Sequence, residues 1–196
     1  MSEDALPLDT AAAGRPATAG AAATRDERLE TMVERHFDVV WRSLRRLGVS
    51  DSGLDDAAQQ VFIVAARKVE TIEEGGEKAY LLGIAVRVAS DARRSTARRR
   101  EVGGGVEEDA PDPLPPPDEL VDQKRARQML DSVLASMPMD LRAAFTLFEI
   151  EGMTVPEVAA ALDVPVGTAA SRLRRARELF HDLVRRLGQP RGGNRV

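Results

Sequence analysis

The stretch GGGVEEDAPDPLPPPD, residues 103–118, limits the architecture more than any other part of this 196-residue chain. Its glycines leave the backbone free, its prolines remove amide donors, and its five acidic residues, with no basic one among them, repel each other. Such a segment forms no helix and supplies no core. The chain is therefore divided into two blocks, about 25–102 and 119–187, joined by a flexible and partly extended linker. Residues 1–24, rich in Ala, Gly, Thr and Pro and without hydrophobic periodicity, read as a disordered tail, and residues 188–196 as a second one.

Inside the blocks Ala, Leu, Arg and Glu dominate, aromatic residues make up only 4%, and β-branched runs bounded by turn residues are missing. The expected fold is all-α: two small helical domains, the second carrying a helix-turn-helix. The absence of cysteine excludes disulfides, thiolate metal sites and a cysteine nucleophile. His36 and His181 lie in separate helical stretches, His36 at the edge of an apolar stripe, so no metal or cofactor is expected. No phosphate loop or nucleophile–base pair suggests an enzyme. The N-terminus has no basic leader and no apolar run reaches membrane length, which points to the cytoplasm.

The first block opens with ERLETMVERHFDVVWRSLRRLG, where Leu29, Met32, Val33, His36, Phe37, Val40, Trp41, Leu44 and Leu47 recur three and four apart. This is one stripe of a long helix ended by Gly48. The following segment puts Leu54, Ala57, Ala58, Val61, Phe62 and Ala65 on one side and groups Asp55, Asp56, Gln59 and Gln60 in its first two turns. Acids at a helix start suit the helix dipole, but the polar cluster exceeds what a helix start requires. Gly75 and Gly76 then break the chain before KAYLLGIAVRVASDARRSTARRRE. This third helix buries Tyr80, Leu81, Ile84 and Val88 and aligns Arg87, Asp91, Arg94 and Arg98 on another face.

In the second block, Leu130, Val133, Leu134 and Met137 end one amphipathic helix at Pro138, and DLRAAFTLFEIEG forms the next, stopped by Gly152. MTVPEVAAALDVPVGTAASRLRRARELFHDLV carries the strongest signal. Thr154 and Glu157 have capping-box spacing, with Pro156 near the first helical position. The short helix must end near Asp163, because Pro165 removes a donor and Asp tolerates the left-handed conformation. A second helix starts near Val166, with Ala169, Leu173, Ala176 and Phe180 buried. Thr168, Ser171, Arg172 and Arg175 form its polar face, the layout of a recognition helix in a major groove, and Arg174 and Arg177 flank it toward phosphates.

These residues resemble a known family. LASMPMDLRAAFTLFEIEGMTVPEVAAALDVPVGTAASRLRRARELF is similar to the C-terminal DNA-binding domain of the extracytoplasmic-function sigma factors of bacterial RNA polymerase. LDDAAQQVF followed by KAYLLGIAVRVASDARRSTARRR is similar to their N-terminal domain. The resemblance implies a factor that directs core RNA polymerase to promoter DNA. Its first domain would dock on the polymerase clamp through Asp55, Asp56, Gln59 and Gln60. Residues 70–77 would capture a flipped base of the −10 element, with Arg87, Asp91, Arg94 and Arg98 on the supporting helix. The second domain would read the −35 element as duplex, and an anti-sigma factor would be a partner. A stand-alone helix-turn-helix regulator is the alternative, and the first block, which lacks any ligand-pocket signature, is what distinguishes the two.

The formal net charge of −4 agrees with a nucleic-acid function only because the acidity is concentrated in the linker, leaving the basic helices in nearly neutral domains. Nearly neutral domains release few counterions, so the free chain is expected to bind duplex DNA poorly.

Overall fold

The computed structural model describes residues 24–101 and 118–188. The expected tails and linker lie outside the described residues apart from their edges: Thr24 caps the first helix, and Asp118 and Gly188 belong to helices. The described residues form helices without strands, in the order α1 (Arg25–Arg46), α2 (Leu54–Ala66), α3 (Glu77–Glu101), α4 (Asp118–Ala135), α5 (Met139–Phe145), α6 (Val155–Leu162) and α7 (Val166–Gly188).

α1 starts with a complete capping box, in which the Thr24 side chain accepts from the Glu27 amide and Glu27 reaches back to the Thr24 amide. Leu47 caps its other end and Gly48 follows in the left-handed region at φ +92°. α2 buries all six residues of its expected apolar side, Leu54, Ala57, Ala58, Val61, Phe62 and Ala65, against α1 and α3. The expected stripe of α1 is only partly covered. Phe37 stacks on Phe62 at its rim and remains 40% exposed, while Ser43, outside the expected stripe, is buried.

α3 departs most from expectation. Leu81, Leu82, Gly83, Ile84 and Ala85 are all buried, so this part of the helix is covered around its circumference. Leu81, Ile84 and Ala85 join the core of the first domain, whereas Leu82 joins a second core with Ala144, Leu147, Val158, Ala159 and Ala161. A single amphipathic stripe was the wrong pattern for a helix shared by two domains.

The segment expected to be one helix up to Gly152 is two kinds of helix. α5 passes directly into a π-helical turn, Thr146–Ile150, closed by the Glu151 amide donating to the Thr146 carbonyl at 3.0 Å. Gly152 then takes φ +73° and starts the turn into α6. α4, α5 and α7 enclose a smaller core of Leu134, Met137, Phe145 and Ala176, where Phe145 stacks on Phe180 with ring centres 4.5 Å apart.

Candidate nucleic-acid interface

The helix-turn-helix follows from local chemistry. Thr154 caps α6 by accepting from the Glu157 amide, while Glu157 accepts from both the amide and the hydroxyl of Thr154. These hydrogen bonds, side chain first and then backbone, hold the Glu157 carboxyl below the usual carboxylate range. α6 ends at Asp163 in the left-handed conformation, φ 54° and ψ 51°, the only non-glycine residue with positive φ among those described. Three residues, Asp163 to Pro165, make the turn and α7 begins at Val166.

α7 buries Ala169, Leu173 and Ala176 and half-buries Phe180, as its spacing indicated. The candidate DNA-contacting residues separate into distinct environments. Arg175 is exposed, and no hydrogen bond or ion pair engages it. Arg174 is exposed and pairs with Glu178 one turn on, at 2.9 Å. Ser171 and Thr168 are half-buried, the Ser171 hydroxyl donating to the Thr168 carbonyl. Arg172 lies at the edge toward α5 and meets Asp140 at 3.7 Å. Arg177 donates to Glu149 in the π-turn and lies over the Phe148 ring, 5.0 Å from its centre. At 100° per residue, Gly167, Ser171, Arg174 and Glu178 form the middle of the solvent face, with Arg175 and Thr168 on one flank. Three of the four arginines are thus already held by carboxylates.

In the first domain, Asp55, Asp56, Gln59 and Gln60 are all exposed on α2, as are Arg87, Asp91, Arg94 and Arg98 on α3. The structure brings two members of each group together, without Asp55, Gln59, Arg94 or Arg98. Asp56, Gln60, Arg87 and Asp91 rim one groove of about 470 Å³ whose floor includes Ala57, Val64, Ile84, Val88 and Ala92. Asp55 accepts from the Trp41 indole at 3.0 Å, so it also ties α2 to α1. Arg94 pairs with Asp91. In the 70–77 loop, Arg28 of α1 donates to the Ile72 carbonyl at 2.9 Å and Ile72 is buried, leaving Glu73, Glu74 and Gly75 exposed at the tip. His36 is a half-buried boundary residue whose pKa is lowered, chiefly by burial. No cluster able to hold a metal ion occurs among the described residues.

Sequence reasoning missed Arg142 and Glu151. Arg142 is 2% exposed, and its guanidinium donates to the carbonyls of Leu47 at 3.2 Å, Ala135 at 2.5 Å and Met137 at 3.3 Å. Burial, and secondarily Arg93 nearby, pushes its pKa down to about 10, so it remains a cation at neutral pH. Glu151 accepts from the Ser43 hydroxyl and from Arg46, both at 3.0 Å, and Lys78 donates to its backbone carbonyl at 2.6 Å. Both residues join the second domain to the first. Their only sequence signal was a polar residue beside an apolar run, which a solvated face displays equally well.

Comparison with known proteins agrees with this architecture. Residues 32–99 match the family model of sigma-70 region 2, and residues 127–180 that of sigma-70 region 4. The chain is 33% identical over 155 residues to the ECF RNA polymerase sigma-E factor of Escherichia coli, covering 71% of this chain and 78% of that protein. With the ECF RNA polymerase sigma factor SigE of Mycolicibacterium smegmatis the identity is 30% over 154 residues, covering 78% of this chain and 60% of the relative. Among solved structures, the sigma factor RpoE in complex with the anti-sigma factor NepR from Bartonella quintana aligns with a TM-score of 0.64. The identity is 21%, over 83% of this chain and 98% of that one. CnrH in complex with the cytosolic domain of CnrY aligns at 0.59 and 22% identity, over 81% and 88%. A capped helix-turn-helix placed behind a region 2 domain, in relatives of this identity, establishes that the chain belongs to the extracytoplasmic-function sigma factors, which start transcription by RNA polymerase at specific promoters.

Proposed function

We propose that the second domain reads the −35 element as duplex through α7, while the first domain docks on core RNA polymerase and engages the −10 element. The supporting observation is the exposed face of α7 behind a fully capped turn, with Arg175 unengaged and Ser171 and Arg174 beside it. Arginine is suited to bidentate bonds with guanine in the major groove, and Arg174 and Arg177, released from Glu178 and Glu149, are suited to phosphates. Asp55, Asp56, Gln59 and Gln60 form the polymerase-facing surface. Arg87, Asp91, Arg94 and Arg98, with the tip of the 70–77 loop, form the −10 surface, and the groove shared by Asp56, Gln60, Arg87 and Asp91 is where the two surfaces meet.

The domain limits follow: polymerase binding and melting in 25–102, −35 reading in 119–187. The chain acts in the cytoplasm, where polymerase and chromosome meet, and contributes no catalysis of its own. An anti-sigma factor is a fitting partner, because the structurally similar sigma factor RpoE is bound to the anti-sigma factor NepR, and the similar CnrH to the cytosolic domain of CnrY.

The test is transcription by core polymerase on random promoter fragments, with and without the purified chain, beside gel shifts of the free chain. Promoter-specific initiation only when the chain is added, together with negligible duplex binding by the free chain at physiological salt, is the expected result. Tight sequence-specific binding without polymerase would instead favour a stand-alone regulator.

A further inference from the structure

α7 carries four arginines within six residues, Arg172, Arg174, Arg175 and Arg177, and three of them are matched by carboxylates from three different places in the fold. Asp140 comes from the first turn of α5, Glu149 from the π-turn and Glu178 from α7 itself. The four cations are left with one net positive charge.

Folding gives Asp140 a reason to stand where it does, because an acid in the first turn suits the dipole of α5. It gives none for the other two. Arg174 and Glu178 pair with the cation on the N-terminal side, the weaker order along a helix, and their side chains are 66% and 60% exposed. The Arg177 guanidinium is already placed by the Phe148 ring beneath it, and the Glu149 pair is open to water as well. Ion pairs this wet add little to stability. Their effect is on the surface: each carboxylate competes with any phosphate that its arginine could grip.

We propose that Glu149 and Glu178, supported by Asp140, act as built-in competitors of phosphate on α7 and so keep the free chain off DNA of arbitrary sequence. The inference rests on α7 being the DNA-reading helix. A phosphate bound by Arg174 comes within about 3 Å of a guanidinium that is itself 2.9 Å from Glu178. The two anions then face each other inside the screening length of about 8 Å at physiological salt. Arg177 and Glu149 stand in the same relation. The phosphate either displaces the carboxylate or bears its repulsion, and in both cases the arginine adds little to counterion release. Arg175 has no carboxylate to give up, so base reading through it is not opposed in this way. Sequence-independent grip is thus suppressed on the same helix that leaves one base-reading side chain free. A chain that adhered to the bulk of the chromosome would have to leave it before binding polymerase, and the carboxylates remove that detour.

Fluorescence anisotropy of the full chain on random-sequence duplex DNA, at about 0.05 M and about 0.2 M salt, tests the proposal. The double variant Glu149→Gln, Glu178→Gln keeps the side-chain shapes and removes two charges. It should bind more tightly than wild type with a salt slope steeper by about two, so that its gain at the lower salt exceeds that at the higher by about tenfold. Replacing Arg174 and Arg177 by Ala in that background should cancel the gain. Should the double variant fail to fold, Glu178→Gln alone, changed on an exposed helix face, should show about half the change in slope. A slope equal to that of wild type would overturn the proposal. So would a gain that survives the loss of Arg174 and Arg177, since it would then belong to overall charge. If the gain appears and is cancelled as expected, yet promoter binding by the polymerase complex is indifferent to Arg174→Ala and Arg175→Ala, suppression of random binding stands and the −35 assignment falls.

Discussion

α3 and α7 are both long arginine-bearing helices, of 25 and 23 residues, but their surfaces are divided in opposite ways. α7 keeps one buried stripe through Ala169, Leu173 and Ala176 and presents the rest to solvent or to partners at its edge. α3 is buried all round from Leu81 to Ala85 and presents Arg87, Asp91, Arg94 and Arg98 only beyond that point. The first is a helix mounted on a domain, the second a helix inserted between two. Substitutions on the outer face of α7 should therefore change what the protein reads, whereas changes along the seam beside α3 should change whether the halves remain together.

The largest effect is expected from a surface change on the α3 side. Asp56→Arg, in the groove with Arg87, replaces a carboxylate by a cation and should weaken core-polymerase binding by on the order of 1,000-fold, about 4 kcal/mol, while leaving folding stability nearly unchanged. Pull-down titration beside a melting curve checks both halves of this expectation, and native affinity in a folded variant would remove Asp56 from the docking face. Next in size, Arg142→Ala leaves three carbonyls without their donor and opens a void, costing roughly 3 kcal/mol in urea unfolding. Arg142→Lys, with fewer donors and no planar fork, should fall between.

On α7 the unengaged arginine should matter most. Arg175→Ala is expected to cost about 2 kcal/mol of −35 discrimination in the polymerase complex, relaxing preference at one position, whereas Arg174→Ala weakens all sequences alike and lowers the salt slope by about one. Promoter profiling at two salt concentrations separates these outcomes. A uniform loss for Arg175→Ala would move base reading to the Ser171–Arg174 side. The smallest effect belongs to the turn before α6, where Thr154→Ala removes a helix cap worth about 1 kcal/mol. Because the folded Glu157 pKa lies below its ordinary value of 4.5, the stabilisation from its bonds to Thr154 is complete above that pH. It declines as the pH falls through the lower folded value. The difference between wild type and Thr154→Ala should thus shrink on acidification, which pH-dependent unfolding measures.

Features governed by residues close in sequence were legible. The capping box at Thr154, the left-handed Asp163, the start of α7 at Val166 and the six buried residues of α2 all follow from neighbours within two turns. Features requiring the other domain were not. Five consecutive buried positions from Leu81 to Ala85 do show in retrospect as a helix without a polar side there, since Leu82 and Gly83 occupy what would otherwise be the wet face. Arg142 gave no such sign, because its partners are carbonyls, which every residue possesses. The polar face of α7 was legible in composition but its ion pairs were not: which arginines are held by Asp140, Glu149 and Glu178 depends on how α5 and the π-turn approach α7.

That π-turn makes a prediction about counting. Each residue of an α-helix advances the chain by about 100°, and a π-turn holds one more residue than the α-turn it replaces. Between Phe145 and Gly152 the number of residues thus works as a rotary setting: shortening the segment by one would leave every neighbour chemically intact yet swing Glu151, and the helix-turn-helix behind it, about a quarter turn away from Arg46 and Lys78. The angle at which the helix-turn-helix faces its own first domain is in this sense stored as a length.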